Sequence, residues 1–177
     1  MAAGVINGTP IHDDNKMYIN ARTKFTQIYA VDMATAGVHT DYENEIIDIA
    51  ARFVEFTTQN KFVNQVITRN GLVQSKYPVS TQLEIFNIHT DFQISPVTTP
   101  NLILVFGIHT EMCVLDHAEA IKQRFPNAQV LILNDLCAAK HNSDVLFNYC
   151  LRSKRIDFAE SSKLIIINED YNLKDEL

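Results

Sequence analysis

Apolar residues fall into short uninterrupted runs separated by amphipathic stretches. Phe25 to Asp32 (FTQIYAVD) is β-rich, ends on an acid and is followed by the small residues Ala34 to Gly37, which predicts a buried strand opening into a loop. Thr40 and Glu43 match a capping box. Ile46, Ile47, Ala50, Phe53, Val54 and Thr57 then recur at helical spacing, predicting a long amphipathic helix through Gln59. Phe62 to Thr68 (FVNQVIT) reads as a second strand closed by a turn at Arg69, Asn70 and Gly71. Leu72 to Ser75 is a candidate third strand, Thr81 to Asn87 a candidate short helix, and His89 to Pro100 an irregular connection.

The second half is clearer. Leu102 to Gly107 (LILVFG) is apolar throughout, as expected of a strand covered on both faces and central in its sheet. A helix from about Met112 to Arg124 follows, with Val114, Ala118, Ile121 and Phe125 on one stripe and Pro126 as the stop. Val130 to Asp135 (VLILND) repeats the strand pattern, Ser143 to Leu151 reads as a helix and Leu164 to Asn168 as a last strand. This alternation predicts an α/β domain: a three-layer, Rossmann-like fold with a mostly parallel central sheet flanked by helices and joined by right-handed crossovers. The domain is expected to run over 25–170, between an N-terminal extension (1–24) and an acidic C-terminal tail (171–177).

Composition narrows the classes. At 177 residues one domain is expected, and 46% hydrophobic with 20% charged residues excludes a disordered or low-complexity chain. The net charge of −6 lacks the basic footprint that nucleic acid requires. The longest apolar runs are far short of the roughly 20 residues that cross a bilayer. Three cysteines, Cys113, Cys137 and Cys150, cannot all pair within one chain, which fits a reducing compartment. The chain ends in Lys174, Asp175, Glu176 and Leu177, an ER-retention address, yet residues 1–24 lack the apolar centre of a secretory signal. A cytoplasmic location is expected, with an organelle as the alternative.

In parallel sheets the chemistry gathers beyond the C-terminal strand ends, which singles out Asp32, Arg69, Cys113 and Asp135. Cys113 lies at the start of a helix, where free N–H groups and the helix dipole favour the thiolate; the competing reading is a buried structural thiol. Asp32 could exchange a proton with a thiol on a neighbouring strand or merely cap a loop. Lys76 could neutralise that carboxylate, polarise a substrate or be a solvated surface lysine. His109, Cys113 and His117, each four apart, suggest a metal set, but His109 falls in the turn and no fourth ligand is evident. His117 as a base for Cys113 is disfavoured, because adjacent turns of one helix rarely orient a thiol and an imidazole for attack.

Gly107 to Val114 (GIHTEMCV) resembles the nucleophile signature of the isochorismatase-like cysteine hydrolases, the group that includes nicotinamidases and N-carbamoylsarcosine amidase. The resemblance continues through Ala118 and Ala120, the run VLILND, Cys137, Ala138, Ala139 and His141. It extends back to FTQIYAVDM and covers about residues 25–168. It implies that Cys113 is the nucleophile, Asp32 the general base and Lys76 their support. It also implies a cis peptide joining Ile108 to His109, with the N–H groups of His109 and Cys113 facing an oxyanion. The chain departs from the nicotinamidases at Ala34, where they carry glutamine. It departs again over Val66 to Ser75, which holds no histidine and no acid, so neither metal nor other cofactor is expected. Two functions follow. One is a hydrolase cleaving an amide or related C–N bond of a small-molecule substrate. The other is a catalytically degenerate subunit with a structural or partner-binding role in a larger assembly. Homo-oligomers are usual in the family and are expected here.

Overall fold

Strands that are apolar on both faces must be covered on both, and the chain does this by alternating them with helices. The computed structural model describes residues 4–6, 9–10, 17–20, 25–33, 39–60, 62–72, 83–85, 99–141, 144–153 and 155–167. In chain order the strands are β1 (Gly4–Ile6), β2 (Thr9–Pro10), β3 (Met17–Asn20), β4 (Thr26–Met33), β5 (Gln65–Leu72), β6 (Leu83–Ile85), β7 (Leu102–Ile108), β8 (Gln129–Ala138), β9 (Asp157–Ala159) and β10 (Leu164–Ile167). The helices are α1 (Asp41–Gln59), α2 (Leu115–Arg124) and α3 (Asp144–Ser153), with a π-helical turn over Thr110–Val114 ahead of α2.

Six strands pair in parallel in the order β6-β5-β4-β7-β8-β9, and β1 and β2 continue the sheet antiparallel beyond β9. The sheet therefore grows from β4 in one direction and from β7 in the other. Both strands at this reversal are buried almost throughout, β7 at every residue. Phe53 of α1 meets Phe106 of β7 edge-on at 6.1 Å, and Phe147 of α3 meets Phe158 of β9 at 6.0 Å. Phe106 shares a sheet face with Leu104, which pairs with Leu131, whereas Phe158 pairs with Ile132, the next residue along β8. Successive side chains point to opposite faces, so α1 and α3 cover opposite sides and the three layers follow.

The capping box is present: Thr40 Oγ1 accepts from the Glu43 N–H at 3.2 Å, and Glu43 Oε2 accepts from the Thr40 N–H at 2.8 Å. The helix then buries Ile46, Ile47, Ala50, Ala51, Val54, Thr57 and Thr58.

Several expectations are corrected. Arg69, Asn70 and Gly71 continue β5 to Leu72 instead of turning, because the pairing with β4 extends past them. Leu72 thus ends β5, and the rest of the candidate third strand lies outside the described residues. Leu83–Ile85 forms a strand on β5 where a short helix was expected, since the ladder supplies hydrogen bonds that a single helical turn could not. β10 leaves the main sheet and pairs in parallel with β3. The three-residue strand β9, too short to show a period, was not foreseen. Met112 begins no α-helix but lies within the π-helical turn. No helix among the described residues is long and apolar enough to cross a membrane.

Candidate active site

An open parallel sheet forms its crevice where neighbouring strands lead away in opposite directions, and here those strands are β4 and β7. Val31 pairs with Gly107 at their C-terminal ends. A Cβ on Gly107 would lie 2.1 Å from the Val31 carbonyl oxygen, and Gly107 has φ +145°, so only glycine fits the seam. The next residue of β4, Asp32, has φ 54°, a left-handed conformation that aspartate tolerates better than most side chains. The same step interrupts the β4–β5 register between Val31 and Met33. Asp32 is half-buried there.

Past Gly107 the peptide between Ile108 and His109 is cis. The His109 carbonyl accepts from the N–H groups of Met112 and Val114, each at 3.1 Å. The second of these bonds spans five residues and defines the π-turn, a form found mostly as single turns and often at functional sites. Thr110 and Val114 are buried, while Cys113 stays half-buried with one side against the core. Asp32 and Cys113 thus leave from the ends of adjacent, registered strands.

Three side chains tie the cysteine turn to its surroundings. His109 Nε2 donates to Glu43 Oε1 at 2.7 Å, since a carboxylate can only accept. The Thr40 N–H, and after it the His109 imidazole, hold Glu43 below the ordinary carboxylate range against the opposing effect of its partial burial. His39 Nδ1 stands 3.6 Å from the other Glu43 oxygen. From within the turn, Glu111 Oε1 accepts from the N–H groups of Lys140 at 2.7 Å and His141 at 3.3 Å, bracing it against the end of β8. Buried His117 donates from Nδ1 to the Cys113 carbonyl at 2.6 Å. This contact is with the backbone of Cys113, as in a satisfied core histidine.

Of the other expected residues, two take other positions among the described residues. Lys76 and Ala34 lie outside the described residues. Arg69 lies in β5, paired with Val31. Asp135 accepts from the Ser161 N–H at 2.7 Å and from its hydroxyl, and so anchors β8 to the turn before β10. Burial pushes the Cys137 and Cys150 thiols up to about 12. Among the described residues, no group of three His, Cys, Asp or Glu side chains is arranged to hold a metal ion. Glu43 was readable in the sequence only as a helix cap, since its histidine partner is 66 residues away. Glu111 left one signal, an acid inside an otherwise apolar and hydroxylic turn.

No protein-family model matches the chain, and no curated relative matches it. Two solved structures do. N-carbamoylsarcosine amidase from Thermoplasma acidophilum superposes with a TM-score of 0.56 at 12% identity, over 84% of this chain and 99% of that one. An isochorismatase family protein from Burkholderia thailandensis gives 0.51 at 12% identity, over 84% and 96%. At that identity the likeness speaks for the fold alone, and the fold of this chain is isochorismatase-like.

Proposed function

We propose that the chain is a cysteine hydrolase that cleaves an amide or related C–N bond of a small molecule through a thioester on Cys113. The observation that carries this reading is the placement of Cys113: half-buried, on a braced π-turn at the switch point of the sheet, with Asp32 one residue from the end of the neighbouring strand. The resemblance of GIHTEMCV to the family's nucleophile signature and the amidase named among the similar structures support it.

In this mechanism Asp32 takes the Cys113 proton as the sulfur attacks the carbonyl carbon. The backbone N–H groups of His109 and Cys113 receive the oxyanion, and Lys76 is assigned the support of the pair, as the resemblance implies. Collapse breaks the C–N bond, and the nitrogen leaves with the proton carried by Asp32. Water then gives a proton to Asp32 and attacks the thioester. The acid departs, and the sulfur regains its proton from Asp32. Loss of one oxyanion donor costs about 3 to 4 kcal/mol in comparable sites.

The test begins with iodoacetamide near neutral pH, with the alkylated residue read by mass spectrometry. Burial raises the Cys137 and Cys150 thiols to about 12, well above the assay pH, so both should lag far behind Cys113. A panel of small primary amides and ureides is then screened for ammonia release, and rapid acid quenching should trap an acyl adduct on Cys113. Equal alkylation of all three thiols, together with no adduct, would overturn the proposal.

A further inference from the structure

The main sheet has a second opening at its C-terminal rim. A cavity of about 460 Å³ lies among β8, β9, α3, the first turn of α1 and the cysteine turn. Its volume falls within the usual range for small-molecule sites. Neither Asp32 nor Cys113 lines it; it meets the cysteine turn only through Thr110.

A β-bulge builds this place. Between the pairs Val105–Ile132 and Gly107–Cys137, the single residue Phe106 of β7 faces four residues of β8, 133–136. Bulges of this kind re-aim side chains and are frequent beside active sites. Two polar residues leave the ladder here. Asp135 is used, accepting both Ser161 hydrogens, whereas Asn134 lines the cavity and its Oδ1 is buried with no hydrogen-bond partner among the described residues. Native interiors seldom leave such an acceptor unpaired unless something else supplies the donor.

The remaining walls define that donor. Tyr42, Phe147 and Phe158 give aromatic surface, with Phe147 and Phe158 set edge to face. Asp144 adds a carboxylate, and among the described residues neither lysine nor arginine lines the cavity. Aromatic faces attract cations, and a cavity wall that carries both a carboxylate and an unpaired carbonyl-type oxygen favours N–H donors over anions. His141 adds an imidazole to the wall.

We infer that this cavity is a binding site for a small aromatic cation, an arylamidinium or arylammonium ion, whose N–H groups donate to Asn134 Oδ1 and face Asp144 while its ring packs on Phe147. The site is separate from the one assigned to Cys113 and does not depend on that reading.

The test uses the full chain and two probes of matched shape, benzamidine and benzoate, in an amide-resolved NMR titration near neutral pH. Benzamidine should saturate shifts at Tyr42, Thr110, Asn134 and Phe147, with benzoate at least about tenfold weaker. Asn134→Leu should weaken benzamidine about tenfold, and Asn134→Asp, which keeps the shape and adds charge, should tighten it. Benzoate matching benzamidine, shifts centred elsewhere, or Asn134→Leu binding as the wild type would each overturn the site. Repeating the titration with Cys113→Ser should leave the binding intact; loss there would place the probe at the nucleophile instead.

Discussion

Gly107 and Cys137 face one another across β7 and β8, and the rim of the sheet divides there into two kinds of place. On the β8 side the thiol belongs to the ladder. Cys137 is buried, its sulfur donates to the Leu133 carbonyl at 3.2 Å, and burial raises its pKa beyond reactivity. On the β7 side the chain abandons the ladder at Gly107, turns through the cis peptide and lifts Cys113 onto a π-turn that leaves it half-buried. Of the two thiols, Cys137 is buried and Cys113 is half-buried. The difference lies in the backbone: regular pairing buries a side chain, and departure from it presents one.

The sharpest way to break this contrast is to remove the presented thiol. Cys113→Ala is expected to lower turnover at least about a thousandfold, whereas Cys150→Ala, in the core of α3, leaves kcat unchanged. The check is kcat on whichever amide the screen identifies, with circular dichroism confirming that both variants fold.

Next in size is the seam itself. Gly107→Ala forces a methyl against the Val31 carbonyl and a non-glycine residue into φ +145°, so a loss of about 3 kcal/mol or more is expected. Urea denaturation followed by fluorescence or circular dichroism measures it. A midpoint unchanged from the wild type would mean that β4 and β7 are not held this tightly.

How far the sequence revealed these regions follows from the range of the forces involved. The α1 cap, the apolar strands and the cysteine turn are written in consecutive residues, and Thr40, Glu43, LILVFG and GIHTEMCV could be read where they stand. Contacts between distant residues could not. β6 looked helical because a three-residue strand has no period to display, and its identity comes from β5. The pairing of β3 with β10 and of β1 with β9 depends on segments more than a hundred residues apart. At the site, Asp32 and Cys113 were marked by their places after apolar runs, while the bulge that separates Asn134 from Asp135 left no local trace.

A medium effect is expected where α1 meets the cysteine turn. Glu43→Ala removes half of the capping box and the His109 partner together, for a cost of about 1 to 2 kcal/mol near neutral pH. The sign of its pH dependence is fixed by the lowered Glu43 pKa. A carboxylate depressed on folding stabilises fully above its unfolded value, near 4.5, and loses that contribution as pH falls through the folded value. The gap between wild type and Glu43→Ala should therefore narrow as pH falls through the ordinary carboxylate range and below it. Denaturation midpoints taken across that window decide it; a gap that widens on acidification contradicts the assignment.

The smallest effects discriminate within the bulge. Asp135 and Asn134 are adjacent, polar and outside the ladder, yet only Asp135 has its oxygens satisfied, by Ser161. Asp135→Asn weakens a charge-assisted pair and should cost about 1 kcal/mol. Asn134→Leu, measured without ligand, removes an unpaired buried acceptor and replaces it with apolar volume against Phe147 and Phe158, so stability should stay level or rise by about 0.5 kcal/mol. Of the two substitutions in one stretch of strand, Asp135→Asn should thus lower the denaturation midpoint and Asn134→Leu should not. If Asn134→Leu instead destabilises as much as Asp135→Asn, the Asn134 oxygen already has a partner in the folded chain. The rim beside β8 would then be closed packing, not a place held ready for a donor.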